Sequence, residues 1–224
     1  MRSRSSLLAA ILAAVLSFGR SAEADPTRAD LSSGKGGADG SYGRIEGDLG
    51  VVAGAGVAIG PRAPRGALDL RVRYLDTIGV FGTYEDASFL GTSSEPRRLI
   101  ATGVELRPLF LGRWLTGRDF GSGRLDLIID SIGLELGAVF QQPLGTAFSA
   151  RPGIQFGLGL ELPFLASANG PWIGLHGGIR WSDAAIGGAP LAGPDDRALY
   201  LSVTLAWHQL FLAHAVDAGD RAPK

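Results

Sequence analysis

A long stretch of alternating residues between Phe148 and Phe164 is the feature that most constrains how this chain can fold. Its even positions are all apolar: Phe148, Ala150, Pro152, Ile154, Phe156, Leu158, Leu160, Leu162 and Phe164. Its odd positions are small or polar, apart from Pro163: Ser149, Arg151, Gly153, Gln155, Gly157, Gly159 and Glu161. A helix would mix the two sets on every side and would not tolerate this much Gly and Pro. The alternation therefore predicts a β-strand with one apolar face.

Five further segments have the same period of two: residues 45–59, 68–74, 100–110, 173–181 and 199–208. Residues 67–86 exceed one typical strand, so we place a tight turn at Asp76-Thr77, between strands near 67–75 and 78–86. One long strand over the whole of 67–86 is the alternative. This boundary decides whether the chain has an even or an odd number of strands.

Residues 125–140 change parity near Asp130 and Ser131, which predicts a β-bulge, with a turn as the alternative. Counted in this way, the chain has eight strands. A single strand over 67–86 would leave seven, whereas single-chain outer-membrane barrels of bacteria have an even number. The pattern thus predicts an all-β fold, an antiparallel up-and-down β-barrel of eight strands.

The N-terminal residues have the features of an export signal. Arg2 and Arg4 precede an apolar run from Leu7 to Phe18, and Ala22-Glu23-Ala24 forms a small-x-small cleavage site. The apolar run is shorter than the ~20 residues that span a bilayer, which disfavours the alternative of an uncleaved anchor. We expect a signal peptide over residues 1–24, a flexible linker over 25–42, a barrel domain over 43–211 and a polar tail over 212–224.

The composition excludes several classes of protein. The chain has no cysteine, which excludes disulfide staples, thiolate metal sites and a lipid-modified cysteine. The formal net charge is −1 with no basic block, so no nucleic-acid partner is expected. The only lysines are Lys35 and Lys224, whereas a soluble domain usually carries mixed Lys and Glu over its surface.

The hydrophobic content is 46%, yet outside the leader no apolar run reaches the ~18 residues of a transmembrane helix. A membrane protein without such helices must be a closed barrel, because lipid offers no partner to an unpaired backbone group. The sequence therefore favours a transmembrane β-barrel.

A period of two does not by itself say which face meets water, since a soluble lipocalin-like barrel carries its apolar residues inside. Three features favour lipid on the outside. The polar face is mainly Gly, Ser, Thr and Arg, which suits a crowded lumen. Tyr84, Trp172, Trp181 and Trp207 lie near strand ends, where outer-membrane barrels have aromatic girdles. The patterned region also ends in an alternating strand, ALYLSVTLAW.

The export signal, the alternating strands and the aromatic-ended final strand together resemble the small eight-stranded bacterial outer-membrane barrels, the OmpA-type transmembrane domain and its relatives. The resemblance covers about residues 43–211. It implies a monomer in the outer membrane whose partners are membrane lipid and, during biogenesis, the barrel assembly machinery. The chain departs from that family because the tail LAHAVDAGDRAPK follows Phe211, whereas the family's assembly signal ends in a C-terminal aromatic residue.

In an eight-stranded barrel both chain ends lie on the periplasmic side. We expect the connections at Asp76-Thr77 and Ser167–Pro171 on that side, and the longer ones at Ala87–Pro96 and Gly187–Asp196 outside. Gly112–Gly123 would be an unusually long periplasmic connection.

Polar side chains on the inward face form a predicted lumen cluster: Glu46, Asp48, Asp69, Arg71, Arg73, Glu105, Arg107, Glu135, Arg151, Gln155, Glu161, His176, Arg180 and His208. The signs of charge nearly balance, and a barrel of this size is just wide enough for side chains to fill. We therefore expect a structural core of ion pairs, with Glu161 paired to Arg180 or Arg151. The alternative, a narrow ion or water path, would need an unbalanced ring of charge.

An enzyme is a lesser alternative, a hydrolase of lipid acyl groups. His176 and His208 share the inward parity with Ser202 nearby, but such sites normally face the lipid. His176, His208 and His214 have no metal-ligand spacing with Asp or Glu, so we expect no catalytic residues, no metal and no cofactor. The predicted function is a non-enzymatic integral outer-membrane protein with a structural role or a loop-mediated interaction. The other alternative is a soluble periplasmic lipocalin-like carrier of an apolar ligand.

If the export signal is cleaved as predicted, the mature protein begins at Asp25. N-terminal sequencing or the intact mass of the exported protein measures this directly. A protein that retains residues 1–24 after export would contradict the prediction.

Overall fold

The structure, a computed structural model, describes residues 49–92, 95–116, 120, 122–143, 145–188, 193–211 and 213. Eight antiparallel strands pair in sequence order, and β8 pairs with β1 to close the barrel. This confirms the predicted all-β fold and the count of eight strands. The predicted signal peptide and linker, and the predicted tail apart from Ala213, lie outside the described residues.

The strands are β1 (Leu49–Ile59), β2 (Pro64–Tyr74), β3 (Ile78–Asp86), β4 (Arg98–Leu106), β5 (Gly133–Gln142), β6 (Gly153–Pro163), β7 (Gly170–Trp181) and β8 (Arg197–Phe211). In the described connections three helices lie between the strands: α1 (Pro108–Thr116), α2 (Gly123–Asp130) and α3 (Asp183–Gly187). Two single 3-10 turns, Ala87–Phe89 and Pro194–Asp196, lie in the β3–β4 and β7–β8 connections. Among the described residues no helix is both long and apolar enough to cross a membrane.

The outward face of the barrel is a continuous apolar belt. Through the middle of every strand the outward side chains are apolar or Gly, apart from Thr102, whose hydroxyl donates to the Phe81 carbonyl at 3.0 Å. Large side chains stand exposed on this belt, Leu158 among them at 55%. The other polar outward positions lie at strand ends: Asp86, Arg98, Gln142, Arg197 and Gln209. The charged residues of the strand interiors point inward, where they are buried.

The two ends of the barrel differ. We call the end that carries Leu49 and Phe211 the terminal end, and the opposite one the loop end. The β2–β3 connection at the terminal end is a tight turn in which Leu75 and Asp76 both have positive φ, 49° and 51°. The Thr77 amide donates to the Tyr74 carbonyl at 3.1 Å and closes it. Residues 67–86 therefore form parts of two strands, as predicted, with the turn one residue earlier than Asp76-Thr77.

The predicted bulge at Asp130 and Ser131 is wrong, because the chain before β5 is helical. The β4–β5 connection is longer than the predicted Gly112–Gly123 and contains α1 and α2. Pro108 begins α1, a position where its missing amide costs no intrahelical hydrogen bond. The change of parity marks the end of α2 and the return to a strand at Gly133.

The strand predicted over Phe148–Phe164 is shorter than its alternation. β6 begins at Gly153, directly after Pro152, which has no amide to donate to a ladder. Arg151 precedes the strand and is exposed.

Trp172 is not part of an outer aromatic girdle, which corrects the prediction. It has inward parity on β7, is 2% exposed and stacks on the His208 ring, with centroids 4.4 Å apart and an interplanar angle of 6°. Tyr84, Trp181 and Trp207 do have outward parity and are half-buried.

We expect Leu75→Asn to raise the free energy of unfolding by roughly 1 kcal/mol, because Asn adopts a left-handed conformation at lower cost than other L residues. Leu75→Ala is the matched control and should show no such gain, since it keeps the unfavourable conformation. Urea unfolding in detergent micelles measures both variants. Equal stability of the Asn and Ala variants would contradict the assigned turn.

Candidate functional site: the charged lumen

Glu161 on β6 is the centre of the ion pairs nearest the terminal end. Its Oε1 accepts from Arg73 Nη2 at 2.6 Å, and its Oε2 accepts from Arg107 Nη2. The same carboxylate lies 3.6 Å from His208 Nε2 and 4.0 Å from His176 Nε2. One buried anion therefore holds two guanidiniums that come from β2 and from the residue after β4.

Arg107 connects this group to the rim of the terminal end. Its Nη1 donates to Asp76 Oδ1 at 3.1 Å, and its Nε donates to Glu105 Oε1 at 2.9 Å. Arg107 lies just beyond the end of β4. Its burial would lower its pKa, but the carboxylates of Asp76, Glu161 and Glu105 outweigh burial and raise the pKa above its ordinary value. Arg107 is therefore a permanent cation in the lumen.

Arg71 occupies the middle of the lumen and contacts three carboxylates. It donates to both oxygens of Asp69, at 2.7 and 3.2 Å, and its Nη1 donates to Glu105 at 3.0 Å and to Glu135 at 2.6 Å. Glu135 Oε1 also lies 2.8 Å from His176 Nδ1. Through Glu105 and Glu135, Arg71 joins the Glu161 group to the centre of the barrel.

A separate group lies toward the loop end. Glu85 Oε2 accepts from Arg65 Nε at 3.0 Å, and its Oε1 lies 2.7 Å from Arg180 Nη1. Arg180 Nε donates to Gln155 Oε1 at 2.7 Å, and its guanidinium lies 3.7 Å from the centroid of the Tyr200 ring. Glu85 thus forms ion pairs with both Arg65 and Arg180, one at each carboxylate oxygen.

Apolar side chains and glycines complete the filling of the lumen. Phe81, Leu99, Ala101 and Val139 form a buried apolar cluster. A Cβ on Gly157 would lie 2.4 Å from Tyr200 Oη, and one on Gly159 would lie 2.8 Å from His176 Nδ1. Gly at these positions leaves the room that the large polar side chains of facing strands occupy.

Helix α2 closes the lumen at the terminal end. Its Leu127 is fully buried and packs with Ala168 and Trp172. Ser131 Oγ, directly after the helix, donates to the Glu161 carbonyl at 2.8 Å and accepts from the Glu161 amide at 2.9 Å. Arg113 of α1 forms ion pairs with Asp126 and Asp130 of α2. The helical connection is thus bonded to the strand that carries the central carboxylate.

Most residues of the predicted lumen cluster are buried inside the barrel: Asp69, Arg71, Arg73, Glu105, Arg107, Glu135, Gln155, Glu161, His176, Arg180 and His208. Glu46 and Asp48 lie outside the described residues. Arg151 is not in the lumen, because it precedes β6 and is exposed. Glu161 is paired with Arg73 and Arg107, so the expected pairing with Arg180 or Arg151 is wrong.

Arg65, Glu85 and Tyr200 line the half of the lumen toward the loop end but are absent from the predicted lumen cluster. Their parity was the available signal. Arg65 has the same parity as Arg71 on β2, but the predicted strand began too late to include it. Glu85 lies within the predicted strand 78–86, and its parity places it on the inner face.

In the described part of the chain, the charged side chains of the lumen are buried and largely paired. Among the described residues, the inward carboxylates of the strands, Asp69, Glu85, Glu105, Glu135 and Glu161, match the guanidiniums Arg65, Arg71, Arg73, Arg107 and Arg180 in number, and Asp76 adds one carboxylate at the rim. Glu135 holds Nδ1 of His176, and His176 lies opposite Ser202 in the β7–β8 register. Both side chains are buried. In the described part of the chain, no group of three or more His, Cys, Asp or Glu side chains could hold a metal ion.

No protein-family model matches the chain, and a search of curated proteins finds no match. Among solved structures, the chain is similar to Ail, the attachment invasion locus protein of Yersinia pestis, in a crystal structure that contains the heparin analogue sucrose octasulfate. The two chains are 11% identical with a TM-score of 0.33, over 73% of this chain and 99% of Ail. A similarity this weak does not indicate the function of this protein.

Replacing Glu161 with Gln should lower the free energy of unfolding by about 3–5 kcal/mol, because it leaves Arg73 and Arg107 buried around an uncharged group. Glu95→Gln is the matched control. Its carboxylate forms an exposed ion pair with Arg62 at 3.5 Å, and such pairs contribute little. Urea unfolding of the two variants gives the comparison.

A double-mutant cycle then separates the partners of Glu161. We expect strong coupling between Glu161→Gln and Arg107→Met, and weak coupling between Glu161→Gln and Arg180→Met. Equal coupling in the two cycles would contradict the arrangement described above.

Proposed function

We propose that this protein is an integral outer-membrane β-barrel without enzymatic activity, which anchors its loop end at the cell surface for an interaction with a partner. The single observation that supports the proposal best is the apolar belt. In water, so large a continuous apolar surface would be a strong liability for aggregation. In a bilayer it is the surface that a closed barrel requires.

The balance of charge favours the membrane over the soluble alternative. A lipocalin-like carrier of an apolar ligand needs an apolar cavity inside and a polar surface outside. This barrel has ion pairs inside and leucine, isoleucine, valine and phenylalanine outside. An apolar ligand would have to displace paired charges such as Arg71 and Glu135, which is energetically unfavourable.

The proposed orientation places the terminal end in the periplasm and the loop end outside, as in bacterial outer-membrane barrels. The longer connections at the loop end would then be presented to the exterior: residues 87–97, 143–152 and 182–196. Two of them are locally braced. Asp86 accepts from the Ser88 amide at 2.8 Å, and Ser182 Oγ donates to Asp196. Braced loops on a rigid barrel suit recognition of a partner.

The filled lumen supports an anchoring role over conduction. Trp172, Leu127 and the Glu161 group close the terminal end, while Glu85, Arg65 and Arg180 fill the space toward the loop end. A conducting barrel would need a larger pore or an unbalanced ring of charge.

Leu158→Arg tests the membrane assignment, because Leu158 is exposed in the middle of β6. In bilayers this change should cost roughly 2–4 kcal/mol of folding free energy, as expected for Arg near the midplane. The control is Ala147→Arg in the exposed β5–β6 connection, which should have little effect. Urea unfolding in liposomes measures the free energy of unfolding of both variants. The folded fraction at each urea concentration is read from the heat-dependent mobility of the protein on SDS gels. Equal tolerance of the two arginines would count against a lipid-facing belt.

A further inference from the structure

The short helix α2 has an exposed apolar stripe that its position in the barrel does not explain. Leu125 is 43% exposed and Ile132, directly after the helix, is 36% exposed. Ile128 and Ile129 lie between them and are half-buried. Residues at this spacing share one side of a helix. Leu127 lies on the opposite, buried side, so the stripe is additional to the surface that closes the lumen.

The two carboxylates of α2 are on the inside, which is the reverse of a helix that faces water. Asp126 and Asp130 are fully buried and form ion pairs with Arg113 of α1. A water-facing connection would turn its carboxylates outward and its apolar residues inward. Here the carboxylates are covered, while Leu125 and Ile132 are exposed, as are the outward residues of the strands.

The stripe is continuous with the apolar belt of the barrel. Ile132 leads into β5, whose outward residues Leu134 and Leu136 are exposed members of that belt. Hydrogen bonds hold α2 against β6, since Arg124 Nε donates to the Pro163 carbonyl at 3.1 Å and Ser131 bonds to the backbone of Glu161. The helix therefore extends the outer surface of β5 toward the terminal end.

We propose that the outer side of α2 is a lipid-binding surface that lies in the periplasmic leaflet of the outer membrane, with glycerophospholipid acyl chains against Leu125 and Ile132. The inference rests on the proposed membrane location of the barrel. Arg124 is exposed beside Leu125, and its guanidinium, bonded to the Pro163 carbonyl at the end of β6, would lie near the lipid phosphates in this location. The backbone amide of Phe120 donates a hydrogen bond to Asp126 Oδ1 at 2.9 Å, and the Phe120 side chain is also exposed.

This surface makes the helical connection a membrane-bound part of the protein. Its contact with lipid sets the depth at which the terminal end lies in the bilayer. The outer side of α2 faces the periplasmic leaflet, while its inner side closes the lumen. Lipid contact would thereby stabilise the helix that packs Leu127 against Trp172.

The absence of native cysteine allows a direct test with bimane labels on single cysteines. Leu125→Cys reports on α2, Leu158→Cys on the middle of the barrel belt, and Ala147→Cys on water at the loop end. Each labelled protein is refolded into phosphatidylcholine vesicles with or without bromine atoms on the acyl chains. Heat-dependent mobility in SDS verifies that each variant has folded before its fluorescence is read.

We expect brominated acyl chains to quench the labels at residues 125 and 158 and to leave the fluorescence of the label at 147 unchanged. Chains brominated near the headgroup should quench the label at 125 most strongly. Quenching at 158 without quenching at 125 would overturn the inference about α2 and leave the barrel in the membrane. If no label is quenched, the membrane location fails and the lipid surface on α2 fails with it. Phe120→Cys is a second variant that should follow Leu125→Cys.

Discussion

Closure of the sheet by the pairing of β1 with β8 is the constraint on which the other features depend. Residues Leu49–Ile59 pair with 201–211 along their whole length, so each of the eight described strands has a neighbouring strand on both sides. Once the ladder is closed, every strand has one side facing the lumen and one facing outward. All eight strands place apolar residues on the outward side, and the charged residues of the strand interiors lie on the side of the lumen. The apolar belt and the charged interior therefore form together.

The charged interior is tolerated because its members are paired. Burying a carboxylate or guanidinium alone costs several kcal/mol, and removing one partner leaves that cost uncompensated. Glu161 and Arg71 each contact more than one opposite charge, and the contacts connect strands that are far apart in sequence. The ion pairs therefore tie the two sides of the barrel together across its axis, in addition to the hydrogen bonds around its wall.

The terminal end shows how one irregular connection is integrated with the barrel. Ser131 stands opposite Glu161, where β5 would continue if it remained a strand, and its hydroxyl replaces the missing ladder bonds. The chain can become helical there without leaving the Glu161 backbone unsatisfied. Leu127 then reaches under the barrel to Trp172, and Arg113 neutralises the two aspartates that this packing buries. A helix in this connection is thus compatible with a closed barrel.

The sequence by itself determined the number of strands and, inside most of them, which residues share a face, because a period of two is a local property that each strand repeats. It placed Asp69, Arg71 and Glu161 on the same inner surface for that reason. Only the tertiary structure decided that Glu161 binds Arg73 and Arg107, that residues 123–130 are helical, and that Trp172 packs against Leu127. Those outcomes depend on the heights at which distant strands meet and on contacts across the lumen. Parity along one strand contains no information about either.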